Sequence, residues 1–200
     1  MGVTFYTFRM VLELLGVEDY GTYNVIGGVI VLFSFISGAL TQSTQRYLSF
    51  HIGKNDMESL KQIFSMSINI YILASVLILT LAETIGLWFI NSYMNFPTDD
   101  LYVVNIVYQF TIVSLIFQLL QLPYQSAIIA FERMNFFAYL SILEAALKLA
   151  VVLILFNLES NRLIGYAISL SGVSIAICLS YRFYCTRKFD SCKYIRIWNK

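Results

Sequence analysis

The chain has 200 residues, of which 58% are apolar and 12% charged, and its mean hydropathy is +0.72. Soluble domains carry roughly 25% charged residues, so this composition excludes an ordinary water-facing fold, and two prolines with ten glycines exclude collagenous or low-complexity character. The net charge of +1 is uninformative as a sum; the placement of the charges carries the information.

Apolar residues come in blocks that run all the way round a helix, the pattern of segments whose solvent is lipid. The first fifteen residues, MGVTFYTFRMVLELL, are apolar but too short to span and contain Arg9 and Glu13. They lack the positive n-region, long apolar stretch and small-residue cleavage site of a signal peptide, so they read as the end of a truncated helix over 2–15. Tyr20 to Gln45 gives 26 uncharged residues, predicting a span over 22–47 after a GVEDYG turn whose glycines suit helix termination. A polar turn from His51 to Asp56 precedes a third helix over 60–91, whose apolar run is marked only by Glu83. Phe96-Pro97-Thr98-Asp99-Asp100 places a proline and acidic capping residues before a fourth helix over 100–130. A fifth over 134–157 carries Glu144 and Lys148, four apart on one face, and a sixth covers 162–185. The expectation is therefore an all-α integral membrane bundle of six helices over 1–185, the first truncated, followed by a basic-aromatic tail over 186–200.

Ten of the thirteen Lys and Arg residues flank the turn after the second helix, the turn after the fourth, or the end of the sixth. The opposite turns carry Glu18, Asp19, Asp99, Asp100 and Glu159, with Arg162 the single basic residue there. The positive-inside rule makes the basic side cytoplasmic and puts both termini on it. Mixed basic and aromatic residues in the tail also suit nucleic acid, but a stop-transfer flank on anionic headgroups is the better reading, and no nucleic-acid partner is expected. Cys178, Cys185 and Cys192 recur at steps of seven; helix-face coincidence is the plain reading and palmitoylation of Cys185 or Cys192 the weaker one. They build neither a disulfide framework nor a metal quartet.

Polar residues recur at helical spacing inside the spans. Thr111, Ser114, Gln118, Gln121 and Gln125 line one face of the fourth helix, beside Pro123, which can bend it. Ser34, Ser37, Thr41 and Thr44 do the same in the second, where Ser34 and Gly38 form a small-xxx-small pair suited to close helix approach. The fifth helix brings Ser141, Glu144 and Lys148 together. Serine and threonine read first as bundle glue. Three glutamines and several charges, each lone charge costing about 2.5–3.5 kcal/mol at the midplane, point instead to a polar path across the bilayer. No GxGxxG, P-loop, HExxH or GxSxG motif is present, and the single histidine, His51, lies in a turn. No enzyme activity, cofactor or metal is expected.

Four ordered segments carry a resemblance: LELLGVEDYGTYNVIGGVIVLFSFISGALTQSTQRYLSFHIGK at 12–54, ETIGLWFIN at 83–91, LPYQSAIIAFERMNFFAYLSILEAALKL at 122–149 and YRFYC at 181–185. They resemble the N-terminal half of bacterial polysaccharide (O-antigen type) flippases, of the multidrug/oligosaccharidyl-lipid/polysaccharide exporter superfamily. The resemblance implies one half of a two-bundle transporter in the bacterial inner membrane, a partner bundle of six further helices, and a lipid-linked oligosaccharide moved between leaflets by alternating access. It implies a substrate cavity reached by Arg9, Ser37, Thr41, Gln118, Gln121, Gln125, Glu144 and Lys148, with Arg9 and Lys148 suited to a pyrophosphate. A cation-coupled multidrug exporter with Glu83 or Glu144 as coupling carboxylate, or a non-transporting remnant, are the alternatives.

Overall fold

The computed structural model describes residues 2–93, 101–155 and 162–192. The Phe96–Asp100 turn, Glu159 and tail residues 193–200 lie outside them. The described residues are helical with turns between, in the order α1 (Gly2–Gly53), α2 (Met57–Leu81), a π-helical turn (Ala82–Gly86), α3 (Leu87–Tyr93), α4 (Leu101–Ala130), α5 (Met134–Leu155), α6 (Arg162–Lys188) and a 3-10 turn (Asp190–Cys192). Among the described residues, four helical segments are long and apolar enough to cross a membrane: Met57–Ile90, Leu101–Ala130, Met134–Leu155 and Arg162–Lys188. The protein is a membrane protein built of helices.

Six separate spans are not what these residues show. The six-residue turn expected at 16–21 shrinks to one residue: Gly16 alone leaves helical geometry, at φ 79° and ψ 170°, and α1 resumes at once. Only glycine adopts that conformation without strain. The last carbonyls before such a break lose the N–H groups that would have followed, and one of them, Leu14 O, accepts a bond from Arg162 Nη1 at 3.2 Å. The expected third helix runs as one segment, Met57–Ile90, through a π turn at Ala82–Gly86. There the Tyr108 hydroxyl of α4 donates to Ala82 O at 2.8 Å. A Cβ on Gly86 would collide with that hydroxyl, so glycine is what admits the bond. Pro123 lies inside α4, buried, without ending it.

At the basic end, His51 to Gly53 complete α1, Asn55 turns the chain at φ 55°, and Asp56 caps α2 by accepting from Ser59 N at 3.1 Å. Bonds from Ser59, with a smaller contribution from the neighbouring His51, hold the Asp56 carboxyl below its ordinary value.

Two apolar clusters hold the bundle at its ends. One joins Val11, Leu14 and Leu15 of α1 to Val104, Tyr108 and Ile112 of α4, Val152 and Leu155 of α5, and Leu163 and Tyr166 of α6. The other joins Leu48, Leu60 and Phe64 to Ala127, Ile128, Ile177, Tyr181, Cys185 and Cys192. Ring stacks tighten the basic end: Phe136 on Tyr184 at 3.4 Å and Phe131 on Phe189 at 4.1 Å between centroids. Between the clusters the apolar core thins to Ile78, Leu115 and Leu119. α4 is the central helix, packing most extensively on α6 and α1.

Among the described residues nothing stands within 4 Å of a Cβ built on Gly38, where the sequence predicts a close approach; Ser34 lies outside the described side chains. Close approach falls at Gly86, and at Gly165, where Leu155 Cδ2 of α5 comes within 2.9 Å of such a Cβ.

Gly86→Ala should destabilise the bundle by about 1–3 kcal/mol by expelling the Tyr108 hydroxyl from Ala82 O, and Tyr108→Phe by about 1 kcal/mol. The double variant should lose less than the sum, because the hydroxyl is removed once; thermal unfolding in detergent measures this, and strict additivity would refute the contact. For Asp56, a folded pKa below the unfolded one means that the cap contributes fully above the unfolded pKa and is lost as pH falls through the folded one. Asp56→Asn, which caps without titrating, should flatten that acid dependence, whereas Asp56→Ala should lower stability at neutral pH.

Candidate functional site

Most hydroxyls in the spans are satisfied within their own helix. Ser67, Ser75, Thr84, Thr111, Ser141 and Ser180 each donate to the carbonyl four residues back, which makes them packing residues rather than a path. A smaller set reaches across helices at the depth where the apolar core thins. Ser114 Oγ of α4 meets Ser174 Oγ of α6 at 2.7 Å. Thr41 of α1 is a three-helix junction: Tyr71 of α2 donates its hydroxyl to Thr41 Oγ1 at 3.4 Å, and Ser126 of α4 donates to Thr41 O at 3.4 Å. Thr41 Oγ1 itself donates to Ser37 O at 2.7 Å. Ser37 and Thr41 are half-buried and Thr44 is buried.

The glutamine row follows the α4 face beside Ser114. Gln118, exposed, donates to Ser114 Oγ at 3.3 Å. Gln121 and Gln125 are half-buried, and neither side-chain amide bonds to a protein group among the described residues. In hydrocarbon an unbonded amide costs several kcal/mol, so this face offers amides to a polar partner.

The charged residues sit apart from that row. Arg9 is exposed and pairs with Glu13 at 3.1 Å within α1, before the Gly16 break. Lys148 Nζ donates to Glu144 Oε1 at 2.7 Å, both partly exposed on α5. Glu83, in the π turn, accepts from Gln109 Nε2 of α4 at 3.1 Å. Three residues escaped attention in the sequence: Tyr71 and Tyr108, whose hydroxyls bond across helices from otherwise apolar runs, and Arg162, which looked like an exception to the charge bias. Asn105, whose buried Oδ1 has no partner, is a fourth.

All three cysteines are buried, Cys185 completely and Cys192 at 3% exposure. Cys185 donates to Tyr124 O at 3.5 Å. Acylation of either thiol would require the basic end to open, so the palmitoylation reading is withdrawn. Among the described residues, no group of three His, Cys, Asp or Glu side chains is placed to hold a metal ion. No family model, curated protein or solved structure matches this chain.

Replacing Lys148 with Met should impair folding or insertion more than replacing Lys148 and Glu144 together with Met and Gln, because the single change leaves a lone carboxylate at membrane depth, at about 2.5–3.5 kcal/mol. Membrane-inserted yield reads this directly; equal loss in both variants would remove the pair from the account.

Proposed function

We propose that this chain forms one half of a flippase for lipid-linked oligosaccharide, a six-helix bundle that works with a second bundle, on the same polypeptide or another, in the bacterial inner membrane. The observation that carries this reading is the row of half-buried glutamines, Gln121 and Gln125, with amides unspent in bonds to the protein. A face of that kind suits a hydrated cavity in which sugar hydroxyls exchange bonds with amides as they pass. Gln118, Thr41 and Ser37 extend it toward α1. The resemblance of the four sequence segments to O-antigen type flippases supplies the substrate class, with both termini cytoplasmic by the distribution of basic residues. Arg9 and Lys148 keep their place as cations for the pyrophosphate, each released from its acidic neighbour, Glu13 or Glu144, when substrate enters.

Cation-coupled export of a small drug is the second reading, favoured by one observation: Glu83 has a glutamine neighbour and no basic partner among the described residues. Glu144 suits that role less well, being held by Lys148.

Gln121→Leu with Gln125→Leu should abolish assembly of surface polysaccharide in a deletion strain complemented with the whole transporter, while leaving the unfolding temperature in detergent unchanged or raised. A fall in unfolding temperature would make the glutamines packing residues and count against the cavity. Cation-dependent dye efflux lost in Glu83→Gln would favour the drug exporter.

A further inference from the structure

A groove of about 380 Å³ runs between α2 and α6, floored by α4, within the ~300–1,000 Å³ typical of ligand clefts. Its walls are apolar along their length, with Ile68 and Ile72 on α2, Phe117 and Leu120 on α4, and Leu179 on α6. The polar lining residues are Tyr124, Cys178, Tyr71 (its hydroxyl engaged with Thr41) and, at the mouth, Arg182. The groove has a direction. Arg182 lies near the end of α6 at the basic end of the bundle, where Arg187 stacks over Phe183 at 4.2 Å. Arg182 lies six residues before the end of α6 at Lys188 and Phe117 thirteen before the end of α4 at Ala130, so Phe117 is about 10 Å deeper than Arg182 by helical rise. The mouth therefore lies nearer the basic-side headgroups and the inner end nearer the bilayer centre.

Arg182 also borders a shallower depression with Ser180, Phe183 and Thr186. It is exposed, and among the described residues no carboxylate lies within ion-pair distance of it. An unpaired guanidinium at the mouth of an apolar slot complements one amphiphile above others, a molecule with an anionic phosphate head and an acyl tail. We propose that this groove is a binding site for an anionic phospholipid of the basic-side leaflet, its phosphodiester on Arg182 and one acyl chain lying between α2 and α6. The proposal is independent of what the protein transports. A seated chain would complete the contact between helices that the two ends of the bundle hold and the middle leaves open, coupling bundle stability to leaflet composition.

The test uses the full chain purified in a neutral detergent and exposed to phosphatidylglycerol or phosphatidylcholine, with bound lipid counted by native mass spectrometry. Phosphatidylglycerol should be retained about tenfold more strongly than phosphatidylcholine, and Arg182→Gln should erase that preference. Leu120→Trp, which fills the groove and leaves Arg182 in place, should also release the lipid. Arg182→Lys should restore it in part and shows that the arginine position tolerates change. Equal retention of both lipids, or loss in Arg182→Gln with full retention in Leu120→Trp, would overturn the proposal, the second outcome leaving a headgroup contact without a seated chain.

Discussion

A backbone carbonyl released from its helix inside hydrocarbon has no water to turn to, and this bundle answers that constraint at the Gly16 break. Gly16 breaks α1, and Arg162 from the start of α6 donates to Leu14 O. At the π turn after α2, Ala82 O accepts from both Leu87 N and the Tyr108 hydroxyl. Ser126 and Cys185 also donate across helices, to Thr41 O and Tyr124 O, within unbroken stretches. In every case the donor comes from a different helix, so each bond is a tertiary contact. These bonds tie α1, α2 and α6 to one another or to α4 without any large apolar seam at mid-depth.

That division of labour shapes the functional face. Apolar clusters at the two ends provide cohesion, through Leu14, Val107 and Leu163 at one and Phe64, Ile128 and Ile177 at the other. The middle is left to short polar bonds between Ser114 and Ser174 and around Thr41. Gln121 and Gln125 stand in the same half of α4 with their amides unspent. A rigid frame with a hydrated, weakly committed middle suits a carrier that must bind and release a polar cargo, because side chains already bonded to the protein have nothing to exchange. The ion pairs Arg9–Glu13 and Lys148–Glu144 show the opposite economy: each cation is neutralised one helical turn away, which permits burial in a membrane without a fixed partner on another helix.

Much of this was legible in the amino-acid sequence for a simple reason. Length and apolarity decide membrane crossing locally, residue by residue, so the runs ending at Ala82, Phe131 and Tyr181 marked spans close to those observed. Capping is equally local, and Asp56 sits where the turn chemistry put it. The glutamine row was visible because helical spacing is arithmetic. What spacing could not give was the partner. Gly16 and Gly21 looked like the two ends of a turn; only Arg162, far along the chain, makes a one-residue break sufficient. Gly86 looked like any glycine in an apolar run until the Tyr108 hydroxyl occupied the space its side chain lacks. Gly38, which looked like a contact point, meets nothing among the described residues.

By itself, then, the sequence determined the apolar character that suits lipid, where the long helices run and which face of α4 is polar, since each of these depends on neighbours within one or two turns. Tertiary structure alone decided which hydroxyls are spent and which amides remain available, that the cysteines are sealed in the basic end, and that Arg182 stands unpaired at the mouth of a groove. Those outcomes depend on which helices lie side by side, and adjacency across a bundle leaves no periodic trace in a single chain.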